Sequence, residues 1–390
     1  MTAASPRPGA LHAAIDRAVV ARAALRTRPL RETATALAAA ARRWAGDDAW
    51  RAPLADEAAL SPANVDAAVA IAAAALDADA LAALADAEGR EGAAPRLVAE
   101  VLASNVPALA LPAIALGCLA GGATLVKSGR ADTSSADAFH AALAAVDPEL
   151  AATVVTASWR GGDPEGAAVL ARADVVVASG HDAAMAALAT RLGDRLVANG
   201  SRTSVVALGG PARDDVAAAI ARDTALHDQR GCLSPTTVWV AGEVAAWAEA
   251  LVAALVDAAR VLPPGRRRSR CARPCARRSP RPSSRARVLA AGPWGAVLTG
   301  GTLDLPGART LHVRPLPSVD ALPALLSGVE CVGAHGGGLD TEALRARGVA
   351  RVCLPGRMQR PPIAWPRGQR APLATLRGRP GAPRILVEAT

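Results

Sequence analysis

Aromatic side chains are scarce in this sequence. Seven Trp, one Phe and no Tyr stand among 390 residues, 2% of the chain. A core without them is built from Ala, Val and Leu, and an aromatic stacking platform for single-stranded nucleic acid is excluded. Lysine is scarcer still: Lys127 stands alone against 43 arginines. Asn occurs only at positions 64, 105 and 199. The first 30 residues hold Arg7, Asp16, Arg17 and Arg22 and lack the continuous apolar stretch of a secretory signal. Six cysteines, at 118, 232, 271, 275, 331 and 353, are too few for a disulfide scaffold of this length. Reduced thiols in a cytoplasmic protein are the expectation.

Acidic residues are absent from one stretch. Pro263–Arg287 holds ten Arg and five Pro with no Asp or Glu. Outside it, 34 basic residues face 35 acidic ones, so the formal charge of +9 belongs to that segment. The remainder carries no basic footprint, and no nucleic-acid partner is expected of it. The segment is read as an insertion in an extended or disordered surface loop.

An uninterrupted apolar span is also lacking. Val101–Val126 has no charged residue, but Pro107, Pro112, Gly117, Gly121 and Gly122 break it and Asn105 lies inside it. It reads as a buried strand–helix–strand unit, not a membrane span.

What is present is an alternation of short β-branched runs and Ala-rich helical stretches. Hydrophobic residues make up 51% of the chain, enough for a globular protein of two or three domains. Residues 1–95 are Ala-rich helix, with one helix expected over Pro62–Ala87 behind a Ser61 N-cap. Strands are expected at Leu97–Ala103, Ala123–Lys127, Ala152–Ser158, Asp174–Ser179 and Ser204–Leu208, with helices between them. That is the pattern of βαβ units in a parallel, doubly wound sheet. The expected division is 1–95 as the helical part of a cofactor domain and 96–208 as its Rossmann-like body. A catalytic domain follows over 209–350 with the 263–287 insertion, and 351–390 is a C-terminal segment.

Three local features carry chemistry. Gln229-Arg230-Gly231-Cys232-Leu233-Ser234-Pro235 puts a thiol on a tight loop. A glycine before it lets the backbone bend so that the Cys232 N–H faces a reacting oxygen, as attack on a carbonyl requires. A buried structural thiol is the other reading of the same residues. Lys127 ends a strand, where ligands of open α/β sheets bind, and a compact ammonium is not replaced by a planar guanidinium. Asn105, in Ser104-Asn105-Val106-Pro107, can present an amide N–H to a site or simply serve a turn. Cys271 and Cys275 have a metal-like spacing without a partner pair.

In this order, Asn-x-Pro, a strand-ending Lys, Ser179-Gly180 after a strand and Gly-Cys-x-Ser-Pro resemble the aldehyde dehydrogenase superfamily. QRGCLSP, SNVP and the late Gly356-x-Met358-Gln359-x-Pro361-Pro362-x-x-Trp365 resemble its acyl-CoA reductase branch, the LuxC family. The resemblance implies an α/β, aldehyde dehydrogenase-like fold: a Rossmann-like cofactor domain plus a smaller α/β catalytic domain. It implies NADPH-dependent reduction of a fatty acyl-CoA or acyl-protein donor to the aldehyde. Cys232 would carry the acyl group as a thioester, and Asn105 with the Cys232 N–H would hold the oxyanion. Lys127 would bind the adenosine ribose of NADPH, with Ser179 and Gly180 under the pyrophosphate; His181 beside them is either part of that loop or a surface residue. An acyl-protein synthetase partner and a homo-oligomer are further implications.

Hydrolytic members of the superfamily carry a Glu that activates water. The matching stretch here is Val197-Ala198-Asn199-Gly200-Ser201-Arg202, and the matching position is Ala198. Without that base a thioester waits for reduction or for a thiol. Two other functions stay open on sequence alone: a family member that folds without turning over, and a binding protein acting through the Arg-rich segment.

Overall fold

The computed structural model describes residues 10–25, 27–89, 94–265, 287–290, 292, 295–300, 309–379 and 381–388. Nearly all of the Arg-rich segment, with Cys271 and Cys275, lies outside these residues. The chain forms two compact units. The first comprises residues 1–58, 68–201 and 362–382, and the second residues 59–67, 202–361 and 383–390.

The first unit is built on a five-stranded, all-parallel sheet. Its strands are β1 (Leu97–Val101), β2 (Ala123–Lys127), β3 (Val154–Ala157), β4 (Val175–Ser179) and β5 (Leu196–Asn199), in the order β3-β2-β1-β4-β5. Both faces are covered, which is why the strands read as continuous apolar runs. Leu11, Ile15 and Ala18 of helix Ala10–Ala21 pack on one face with Leu97, Leu125 and Val176. Val98, Ala120 and Leu376 close the other. Helix Ala110–Ala120 fits tightly because Gly117 has no side chain; a Cβ there would stand 2.3 Å from Thr124 Oγ1. The helix ends at Gly121 in the left-handed region, φ +82°, which a glycine adopts without steric cost.

Three of the eight aromatics meet in one cluster. Trp44 and Trp50 stack with centroids 4.2 Å apart, and Phe139 meets Trp44 edge-on at 6.4 Å. The expected helix over Pro62–Ala87 is two helices, Pro62–Ala75 and Ala78–Glu88. Asp77 breaks it by capping the second: its carboxylate accepts the N–H groups of Asp79 and Ala80.

The second unit holds an eight-stranded sheet. Its strands are β6 (Thr203–Gly209), β7 (Pro235–Ala241), β8 (Arg287–Ala290), β9 (Ala296–Thr299), β10 (Thr310–Pro315), β11 (Val329–His335), β12 (Arg351–Cys353) and β13 (Leu386–Val387). The order is β13-β12-β11-β6-β7-β10-β9-β8, parallel except for β8 against β9. β6 lies between β11 and β7. The expected cofactor domain, 96–208, takes in this strand; in the structure the second segment of the first unit closes at Ser201, and Thr203–Gly209 belongs to the second sheet. β7 is a strand beyond those expected from the sequence.

The chain's late residues are shared out. Residues 362–382 count with the first unit, where Arg377 donates to the carbonyls of Gly89 and Leu119, and Ala374 N–H to Glu88. Among the described residues no single helix is long and apolar enough to cross a membrane.

Candidate active site

In the first unit the strand order reverses at β1, which lies between β2 and β4. The crevice outside the carboxyl ends at such a point is where open α/β sheets bind ligands. Asn105 follows β1, Lys127 ends β2, and Ser179 and Gly180 end and follow β4. The four sequence-predicted residues of this unit therefore share one edge of one sheet.

The β1 and β2 loops are tied together. Leu102 N–H donates to Lys127 O at 3.0 Å. Asp132 accepts Ala108 N–H at 2.7 Å, and Ala108 holds a left-handed φ of 63° that alanine rarely takes. Ser135 N–H and its hydroxyl also donate to Asp132. Burial pushes the Asp132 carboxyl up to about 6 against these hydrogen bonds. Gly129 makes room for the turn: a Cβ there would lie 2.1 Å from Ser104 Oγ.

Lys127 is half-buried, its Nζ 6.0 Å from the Trp159 ring centre. Burial, then the nearby Arg130 charge, lower its ammonium below the ordinary lysine value. His181 is the N-cap of helix Asp182–Leu192, its Nδ1 accepting Ala184 N–H at 3.1 Å. Asp182 accepts Ser201 N–H at 2.7 Å. Ala198 is exposed, and Arg370 donates to its carbonyl and, at 2.6 Å, to Asn199 Oδ1.

One carboxyl at this edge escaped the sequence reading. Glu100 on β1 is buried, and burial pushes it up to about 8 against the opposing pull of Arg367. A polar residue inside an apolar strand was the available signal.

Cys232 lies in the second unit, at the amino ends of its strands. Of the four described cysteines, Cys118, Cys331 and Cys353 are buried, and Cys232 is partly exposed. Burial lifts the Cys118 thiol to about 12. Cys331 and Cys353 face each other with sulfurs 3.8 Å apart, and that contact, together with burial, holds the Cys331 thiol far above its ordinary value. A thiolate nucleophile has neither of these surroundings.

The turn before Cys232 is left-handed at three consecutive residues, His227 (φ 56°), Asp228 (φ 53°) and Gln229 (φ 58°). The sharp bend thus falls upstream of Gly231, on side chains that fix it. Asn64 Oδ1 accepts His227 N–H at 2.9 Å. Asp228 receives the buried Arg309 guanidinium at 2.7 Å and Gly265 N–H at 3.0 Å. The Gln229 amide pairs with Thr310, accepting its N–H at 2.8 Å and donating to its carbonyl at 2.7 Å, and also donates to Pro235 O. Ser204 Oγ donates to the Cys232 carbonyl at 2.7 Å. Burial pulls His227 down to about 4, so it is neutral at pH 7, and its Nδ1 has no hydrogen-bond partner among the described residues.

The sequence profile of the family described as "Acyl-CoA reductase (LuxC)" matches residues 84–368. No curated protein sequence matches the chain. Among solved structures it is similar to bifunctional proline utilization A (PutA), with a TM-score of 0.69 at 18% identity, covering 91% of this chain and 41% of that one. It is similar to a putative aldehyde dehydrogenase PutA from Anabaena variabilis, TM-score 0.64 at 17% identity, over 90% of this chain and 85% of that one. Lactaldehyde dehydrogenase from Escherichia coli gives 0.68 at 15% identity, over 90% and 84%. The fold is that of the aldehyde dehydrogenases.

Proposed function

The chain belongs to the acyl-CoA reductase (LuxC) family, and from that premise we propose that it reduces a fatty acyl-CoA, or an acyl-protein donor, to the aldehyde with NADPH. The observation that carries this reading is the contrast among the thiols. Among the described cysteines Cys232 is the partly exposed one, and its carbonyl and both flanks are held by hydrogen bonds. Cys232 Sγ attacks the thioester carbonyl, a carbon–sulfur bond forms, and the CoA thiolate leaves with the electron pair of the old bond. Asn105 donates its amide N–H to the oxyanion of each tetrahedral state, together with the Cys232 N–H. Ala198 offers no base for water, so the acyl group stays on sulfur until it is reduced.

The residues at the carboxyl edge of the five-stranded sheet suit a dinucleotide. Lys127 donates to ribose hydroxyls. Arg130, close enough to depress Lys127, adds the second cation that a 2′-phosphate calls for. Gly180 leads directly into the N-terminus of helix Asp182–Leu192, where backbone N–H groups favour a pyrophosphate. NADPH, when bound, supplies the hydride for the acyl group. An acyl-protein synthetase partner and a homo-oligomer belong to the same proposal.

The deciding experiment is acyl labelling from radioactive acyl-CoA. Unmodified protein is expected to retain label on Cys232, released as aldehyde on adding NADPH, and Cys232→Ala is expected to retain none. Label persisting in Cys232→Ala would sink the assignment.

A further inference from the structure

The late motif Gly356-Arg357-Met358-Gln359 has no part in the chemistry just proposed, yet every residue of it is fixed. Arg351 on β12 is wholly buried. Its guanidinium donates to the carbonyls of Met358 and Arg357 at 2.8 Å and of Arg360 at 3.2 Å, and it pairs with Glu388 at 2.5 Å. From the other side the Asp223 carboxylate accepts Gly356 N–H at 2.6 Å and Met358 N–H at 3.4 Å. A turn gripped through its carbonyls by a guanidinium and through its N–H groups by a carboxylate has little freedom left.

What this turn presents is the Gln359 amide. Its Nε2 donates to Asp223 O at 3.1 Å and to Ser234 Oγ at 2.6 Å. Ser234 N–H in turn donates to Gly231 O at 3.1 Å, closing the turn that holds Cys232. Both Gln359 and Ser234 are buried, so water is a poor substitute for either partner.

We infer that Gln359 is a positioning residue for Cys232, acting through the Ser234 hydroxyl. This rests on Cys232 being the acyl-accepting nucleophile. The gripped turn is a fixed support, and Gln359 transmits its position to the nucleophile turn. Ser204 holds the Cys232 carbonyl independently. Loss of Gln359 therefore displaces the thiol without unfolding the sheet. A displacement of the order of 1 Å can slow a reaction about 10²-fold.

The test is a double-mutant cycle read in two ways: acyl transfer from acyl-CoA, and the pH profile of Cys232 alkylation by iodoacetamide. Gln359→Met keeps the volume and removes the amide; Ser234→Ala removes its partner. Each single variant is expected to slow acyl transfer by about 10- to 100-fold and to change the alkylation profile. The double variant should be no slower than the worse single one, because both act through one bond. Leu81→Ala, a cavity in helix Ala78–Glu88 of the first unit, lowers the melting temperature and leaves the alkylation profile unchanged. Multiplying effects in the double variant overturn the inference, as does an unchanged profile in Gln359→Met. A Leu81→Ala profile that shifts like that of Gln359→Met also overturns it, since destabilisation alone would then explain the effect. Alkylation needs no acyl donor, so it reads the loop even if acyl-CoA proves not to be the substrate.

Discussion

The two candidate loops sit at opposite ends of their strands, and the Cys232 turn is held by far more side chains than the Asn105 loop. The Asn105 loop leaves the carboxyl end of β1 and leads into helix Ala110–Ala120. Such a loop ends among unpaired N–H groups, and an acceptor suffices to pin it. Asp132 plays that part for Ala108 N–H, from 24 positions away. The Cys232 turn comes off the end of helix Asp214–Ala225 and enters β7 at its amino end. The end of a helix leaves unpaired carbonyls, and Gln359 donates to one of them, Asp223 O. The rest of the turn is held by side chains from far along the chain acting both ways: Ser204 donates to Cys232 O and Gln229 to Thr310 O, while Asn64 accepts His227 N–H and Gln229 accepts Thr310 N–H.

The comparison can be broken hardest at Asp228. Asp228→Ala leaves the buried Arg309 guanidinium without its carboxylate, an expected loss of about 3–5 kcal/mol. Denaturant unfolding should show it, and a loss below about 1 kcal/mol would mean the turn does not depend on that pair. Asn105→Ala tests the other loop. It should slow aldehyde formation about 10²–10³-fold and leave Cys232 alkylation as it was. A large change in alkylation instead would make Asn105 a structural support and not an oxyanion donor.

The smallest expected effect is at Glu100. Its folded carboxyl titrates near 8, above the ordinary 4.5. Between those values the folded state keeps a proton that the unfolded chain releases, so this group's contribution falls as pH rises through the window. Glu100→Gln should be the less stable of the two below pH 4.5, where it carries only the cost of the buried amide, and should gain on the parent as pH rises to 8.5. Melting curves at pH 5 and 8.5 that move in parallel would show that Glu100 is charged throughout.

What could be read in the sequence follows the same contrast. β1, β2 and β4 announced themselves as β-branched runs, so Asn105, Lys127 and Ser179-Gly180 could be placed from neighbours in sequence. The Cys232 turn could be found but not explained. Its partners stand 28, 81, 125, 163 and 171 positions away. Gln359 was legible as a motif and silent about its partner. β6 was legible as a strand, but a strand's pattern does not name the strands it pairs with, and it was assigned to the wrong sheet. Asp77 was a visible cap signal lost in an Ala-rich run.

The return of residues 362–382 to the first unit bears on how the chain is made. Arg377 closes on Gly89 across 288 positions and on Leu119 across 258. At roughly 5–20 residues per second of synthesis, the sheet face under Leu376 waits about 15–60 s for its cover. During that interval Val98 and Ala120 are exposed on a nascent chain, with the second unit emerging in between. Slow decoding of the late codons lengthens that exposure, and a chaperone that binds short apolar strands shortens its consequences. Yield during expression should therefore respond to the speed of translation and to chaperone supply more than the finished protein's stability would suggest.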